Sequence, residues 1–367
     1  MQKGLLVSSV YIIISIISIF LIKRDEKKFD EKKSIVKISY PTILLISILF
    51  TIFNIYSTQI SSKYGSDRLN YIYEFNYLRD TTSVALNTLI KIIRIMNGDV
   101  YTLFYFTTFI CVFLFLIGYR ISKNMNSKIY ILMLTNEWIL FTIITLKQAY
   151  ACAIASLFFI IMLEYKRKQR MILGIICIIL ATLFHISSII LLPFFILFQK
   201  KRLNKNIIVI ILFLIIIIIL KIETFVFILE KILEIISINY ANKIRNYFSD
   251  FKKIELSATF LKYIPIYYIT LLGVLKRKKY LKVFKNYDKY LSISIICSTL
   301  LIFSIKIYWF TRFVGIFYVP VFIFYYYINT NFKSRTIQNI NNIIVYGGTL
   351  VILLRKIILI FVNYGFF

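Results

Sequence analysis

Apolar residues run in long blocks separated by short polar breaks rich in lysine and arginine, a pattern that reads as membrane-spanning helices joined by short loops. The blocks occupy residues 5–22, 38–60, 101–119, 129–146, 149–163, 207–220, 258–275, 291–307, 313–328 and 343–361. The first follows a single basic residue and lacks a small-residue cleavage site, so it is expected to be a retained span rather than a signal peptide. Pro41 falls in the first turn of the second, where a missing N–H costs little, and Pro265 is expected to kink the block that contains it. Only Lys147 and Gln148 separate the blocks at 129–146 and 149–163, which predicts a short hairpin tip at those two positions.

Two stretches follow another rule. In residues 61–99, Phe75, Leu78, Leu86, Leu89, Ile92 and Ile93 recur at helical spacing behind a polar opening, which predicts a helix lying in the membrane interface. In residues 221–257, Phe225, Ile228, Leu229, Ile232 and Ile236 alternate with Glu223, Glu230, Lys231 and Glu234, a second amphipathic segment suited to a lid.

Residues 166–202 open on Lys166, Arg167, Lys168 and Arg170, close on Lys200, Lys201 and Arg202, and are apolar between, with the only histidine of the chain, His185, near their middle. Short loops rich in Lys and Arg stay in the cytoplasm. The chain between the two clusters must therefore cross an even number of times, which predicts a tight helical hairpin whose two short or re-entrant helices meet near His185 on the far side. The same rule applied along the chain gives about 12 crossings, both termini outside, and outer-face segments at residues 61–99 and 221–257 of one polytopic membrane domain spanning residues 1–367.

Composition supports this class. Hydrophobic residues make up 60% of the 367, and the net charge of +29 resides in the inter-span loops, where anionic headgroups account for it. Nucleic acid is therefore not an expected partner. Cys111, Cys152, Cys177 and Cys297 all lie within apolar blocks and read as packing residues rather than a disulfide or metal set.

On this topology the outer ends gather Asp67, Arg68, Lys147, Gln148, His185 and Arg312. Each has a plain structural use: His185 as a helix cap, Arg312 beside Tyr308, Trp309 and Phe310 as an interfacial anchor, Asp67 and Arg68 as a turn, Lys147 as a snorkelling cation. Their shared side argues for an anionic-substrate site. Cations hold a pyrophosphate and stabilise it as it leaves, and a carboxylate or imidazole takes the proton of an attacking hydroxyl. One histidine without a cysteine cluster or paired carboxylates gives no metal site. No phosphate-binding glycine loop is present in the sequence, so no nucleotide cofactor is expected.

Three places resemble the EpsG family of membrane polysaccharide polymerases, related in role to Wzy O-antigen and capsule polymerases. The family's Arg-x-Gly-x-Asp…Tyr pattern is similar to Lys63-Tyr64-Gly65-Ser66-Asp67…Tyr71. Its Arg-Gln, basic loop and Ala-x-x-Phe-His-x-Ser resemble Lys147-Gln148-Ala149…Ala181-Thr182-Leu183-Phe184-His185-Ile186-Ser187…Pro193. Its late Arg with following aromatics looks like Arg312-Phe313…Tyr318. Lysine replaces arginine at Lys63 and Lys147, keeping the charge but losing the bidentate fork.

The resemblance implies an all-α, GT-C-like membrane glycosyltransferase of the bacterial plasma membrane, its site facing outside. Its substrate would be undecaprenyl-pyrophosphate-linked oligosaccharide, polymerised without metal or cofactor, with a flippase and a chain-length regulator as partners beside membrane lipids. His185 or Asp67 would act as base, and Arg312, Lys147 and Arg68 would contact pyrophosphate. Gln148 and Tyr71 would contact sugar, and Lys63 would add to substrate binding. A lipid-linked oligosaccharide flippase and an O-antigen ligase-type enzyme are the alternatives.

Overall fold

The computed structural model describes residues 2–31, 37–60, 65–77, 83–135, 142, 145–199, 231, 234, 263–281, 284, 286–306 and 314–357. All regular structure among the described residues is helical. The chain divides into two compact units, residues 1–199 with 316–367, and residues 200–315.

The first unit holds α1 (Gln2–Glu31), α2 (Tyr40–Ile60), α3 (Gly65–Tyr77), α4 (Val84–Ile95), α5 (Val100–Ile121), α6 (Ser127–Leu134), α7 (Leu146–Glu164), α8 (Arg167–Phe184) and α9 (Leu191–Gln199). Residues 264–306 of the second unit form α10 (Ile264–Tyr280) and α11 (Tyr287–Lys306). The first unit resumes with α12 (Tyr318–Thr330), α13 (Arg335–Asn342) and α14 (Gly348–Ile357), the last two joined without a break by one π-helical turn.

Among the described residues, five helices are long and apolar enough to cross a membrane: Leu6–Asp30, Tyr40–Ser57, Val100–Ile121, Leu146–Glu164 and Arg335–Leu354. α7 is the axis of its unit. Of its span 89% is buried, against 28–50% for the other four, because it is apolar all round and because Ala149, Ala151, Ala153 and Ala155 let neighbouring backbones come close. α5 packs on one side of it and α8 on another, while α2 lies against α5 and α1 against α2.

The expected hairpin is present. α8 ends at His185, a helical turn over Ile186–Ile190 reverses the chain, and α9 packs back on α8 and α7. Small residues allow the approach: Gly174, Cys177 and Ala181 form the buried side of α8. A Cβ at Gly174 would stand 3.0 Å from Met162 Sδ and 3.1 Å from the Phe195 ring. Gly174→Ala should be nearly neutral, since the gain in helix propensity offsets a tight contact. Gly174→Val should overpack the site and cost about 1–3 kcal/mol, read as a lower unfolding temperature of the detergent-purified protein.

Several sequence expectations need correction. Lys147 and Gln148 are not a tip between two spans. Both lie in the first turn of α7, whose N-cap is Thr145. Within residues 61–99 the described residues form two helices rather than one, with Ser83 extended ahead of α4, and α4 turns Leu86, Ile90 and Ile93 inward against α5 and α8, leaving Ile92 exposed. Pro265 occupies the first turn of α10, where it has no hydrogen bond to break, and makes no kink. The last apolar helix begins at Arg335, not at 343. Its polar first turns are satisfied by amides: Asn341 donates to Asn329 (2.8 Å), while Asn329 (2.8 Å) and Tyr325 (2.8 Å) both donate to Asn342. The blocks expected at 207–220 and 221–257 lie outside the described residues, apart from Lys231 and Glu234.

One end of the first unit is tied by carboxylates. Glu164, at the end of α7, accepts from Ser122 Oγ (2.5 Å), Lys123 N (2.6 Å) and Asn124 Nδ2 (3.0 Å), just past α5. Glu26 of α1 accepts from Tyr119 Oη of α5 (2.5 Å) and Ser127 N of α6 (2.9 Å). Lys37 donates to the Lys123 carbonyl (2.8 Å) and to that of Met125. Burial pushes its ammonium below the usual lysine range, while Glu26 and Glu164 pull the other way. The ends of α1, α5 and α7 and the starts of α2 and α6 therefore meet where the sequence places its cytoplasmic loops.

Candidate functional site

At the opposite end of the first unit, α3, α5, α7 and the α8 turn converge. Two caps fix this end. Asn97, at φ 58°, and Gly98 close α4, Gly98 N donating to Ile93 O at 2.8 Å. Asp99 then opens α5, accepting from Thr102 N (2.8 Å) and Thr102 Oγ1 (2.7 Å). Burial raises the Asp99 carboxyl pKa, but these bonds outweigh it and hold it below the usual carboxylate range. Ser83 caps α4 through Leu86 N (3.2 Å) and also donates to the Leu183 carbonyl (3.1 Å), tying α4 to the end of α8.

Phe104 of α5 forms the floor of the site. It is fully buried, and its carbonyl accepts from Asn54 Nδ2 of α2 (3.1 Å), which also donates to Thr108 Oγ1 (2.7 Å). The Arg68 guanidinium lies over the Phe104 ring at 4.1 Å from its centroid, and the Tyr71 ring meets the same ring edge-on at 6.4 Å. Arg68 is only 1% exposed. An ion so covered requires partners, and the aromatic face supplies one.

Lys147 reaches the same place from α7. Its Nζ is 3.4 Å from Glu74 Oε1 of α3 and 5.4 Å from the Tyr71 ring centroid. Three residues on in α7, Tyr150 stacks on Phe184 at 4.0 Å and 13°, and the next residue is His185. His185 is half-buried, with its N–H donating to Ala181 O (2.9 Å) and its carbonyl accepting from Ser188 N (2.9 Å). Gln148 is buried in the first turn of α7.

The structure thus brings Arg68, Tyr71 and Lys147 together on one aromatic floor and links them through Tyr150 and Phe184 to the His185 turn. Asp67 is placed by its backbone in the first turn of α3. Lys63 and Arg312 lie outside the described residues. Sequence reasoning missed Glu74 and Phe104. Glu74 stands three residues after Tyr71 and seven after Asp67, the spacing of one helical face, and that spacing was the available signal. Among the described residues, no group of three or more histidine, cysteine or carboxylate side chains has the arrangement of a metal site.

What the fold and this end define is a polytopic helical membrane protein in which cations, carboxylates and aromatic rings meet at one end of the bundle. The model of the EpsG family matches residues 43–367, most of the chain. The protein belongs to that family, and so to the membrane proteins of polysaccharide biosynthesis. No curated protein and no solved structure matches it.

Proposed function

We propose that the chain is a Wzy-like polymerase that joins undecaprenyl-pyrophosphate-linked oligosaccharide repeat units into surface polysaccharide at the outer face of the plasma membrane. The observation that carries this reading is the meeting of Arg68 and Lys147 over the Tyr71–Phe104 floor beside the His185 turn. Cations there suit a diphosphate, and aromatic faces with carboxylates suit a sugar. The basic loops at the Glu164 end support a cytoplasmic position for that end, which leaves the Lys147 end outside.

In the reaction, a sugar hydroxyl of one unit attacks the anomeric carbon of the chain carried by another. The new C–O bond forms as the bond from that carbon to the diphosphate oxygen breaks, and its electron pair leaves with the lipid diphosphate. The hydroxyl proton passes to His185 or Asp67. Arg68, Lys147 and Arg312 stabilise the leaving diphosphate, while Tyr71, Gln148 and Lys63 orient the substrate. The span count of about 12 and the GT-C-like architecture belong to the same proposal, as do a flippase and a chain-length regulator as partners.

The test is reconstitution in proteoliposomes with a defined lipid-linked oligosaccharide. A ladder of products rising by one repeat unit is the expected result. Transfer of a single block would make the protein a ligase, and movement of the lipid across the bilayer without bond formation would make it a transporter.

A further inference from the structure

The Glu74–Lys147 pair is a long but sheltered ion pair. Its 3.4 Å separation exceeds the 3.0 Å of Arg277–Asp288 and the roughly 2.7–2.9 Å of a well-made charge-assisted bond. Yet the two side chains are only 16% and 20% exposed, shelter enough to favour a closer contact. The Lys147 ammonium also lies against the face of Tyr71. A lysine is a point charge on a flexible stem with three donors, able to exchange one anion for another by a small rotation.

We propose that Glu74 is an internal substitute for the substrate's anion: it holds Lys147 while the site is empty, and a diphosphate group displaces it on binding. This rests on the diphosphate reading above and adds a residue to it. A diphosphate offers more charge and more acceptor oxygens than one carboxylate held at long range, so it wins the ammonium. The competition lowers affinity for weak anions and keeps the cation in place when none is bound. Glu74 acts through Lys147 and is a positioning residue.

The test uses the full-length protein in nanodiscs, with inorganic pyrophosphate and farnesyl diphosphate as probes. Glu74→Gln keeps the shape and removes the competing charge. It should tighten binding of both probes by about three- to five-fold, the worth of a partly exposed ion pair. Lys147→Ala should weaken binding, and the double variant should bind like Lys147→Ala alone, because the gain requires the ammonium. Monodispersity on size exclusion reports the fold of each variant.

A merely structural staple would show the reverse, with Glu74→Gln weakening binding and lowering thermal stability. That result overturns the proposal, as does a gain that survives in the double variant or appears with only one probe. Each of these outcomes leaves the diphosphate reading intact. If neither the wild-type protein nor Glu74→Gln binds either probe, the diphosphate reading itself fails, and this inference with it.

Discussion

Replacing His185 by alanine is expected to lower polymer synthesis by about 10²- to 10⁴-fold, the usual contribution of a positioned general base, without loss of folded protein. The backbone geometry supports the second half of that expectation. The His185 N–H and carbonyl are bonded to Ala181 O and Ser188 N, so the reversal of the chain is made by main-chain groups that alanine leaves in place. His185→Gln should be equally inactive, since an amide keeps hydrogen-bonding capacity but does not accept a proton near neutral pH. The comparison is made by gel analysis of surface polysaccharide in cells complemented with each variant, with membrane levels quantified in parallel. Full-length chains from a well-inserted His185→Ala protein would remove the base from this residue and leave Asp67, whose Asp67→Asn variant is then the one expected to be inactive.

The second large effect is expected at Arg68. Arg68→Lys keeps the charge, but an ammonium is more strongly hydrated than a guanidinium and has no flat face to lay on Phe104. At a position only 1% exposed, with the ring centroid 4.1 Å away, both losses are felt. Lysine is therefore expected to fail as a replacement, with polymer synthesis down by about 10²-fold, in line with the loss of one preorganised donor to developing charge. Arg68→Met preserves volume and removes the charge. It should be at least as inactive, while its thermal stability changes by no more than about 2 kcal/mol, the scale of a desolvated cation–π contact. Full activity in Arg68→Lys would show that only the charge is used and that the stacked geometry is incidental.

The helical membrane class was legible because it needs only long apolar blocks and the placement of basic residues. The hairpin at His185 was legible for the same reason, since two basic clusters expected on one side of the membrane force a return. The start of α7 was not. From residue 129 to 163 the chain is apolar almost throughout, so Lys147-Gln148 stood out as the natural turn, whereas a lysine is tolerated in a first turn when a carboxylate from another helix meets it. Glu74 and Lys147 are 73 residues apart, and nothing local to either announces the other. Phe104 shows the same limit. Within α5 it is one of several phenylalanines, and only the packing of α2 and α3 against that turn makes its ring the floor under Arg68 and Tyr71. The Asp67 and His185 motifs were readable as a family likeness. The environment of His185 is set by tertiary contacts the chain order conceals.

The two sides of α8 also differ in how freely they can change over time. Ile172, Ile175, Ile176, Ile179 and Leu183 are exposed, whereas Gly174, Cys177 and Ala181 are buried under α7 and α9. A side chain facing lipid tails is exchangeable for almost any other of similar oiliness, because the surrounding medium has no shape to match. A residue under a neighbouring helix is limited to the volume left for it. Most of the letters in such a chain are therefore free to drift while the fold persists, and heredity is written in a few small residues and a few polar ones at one end of the bundle.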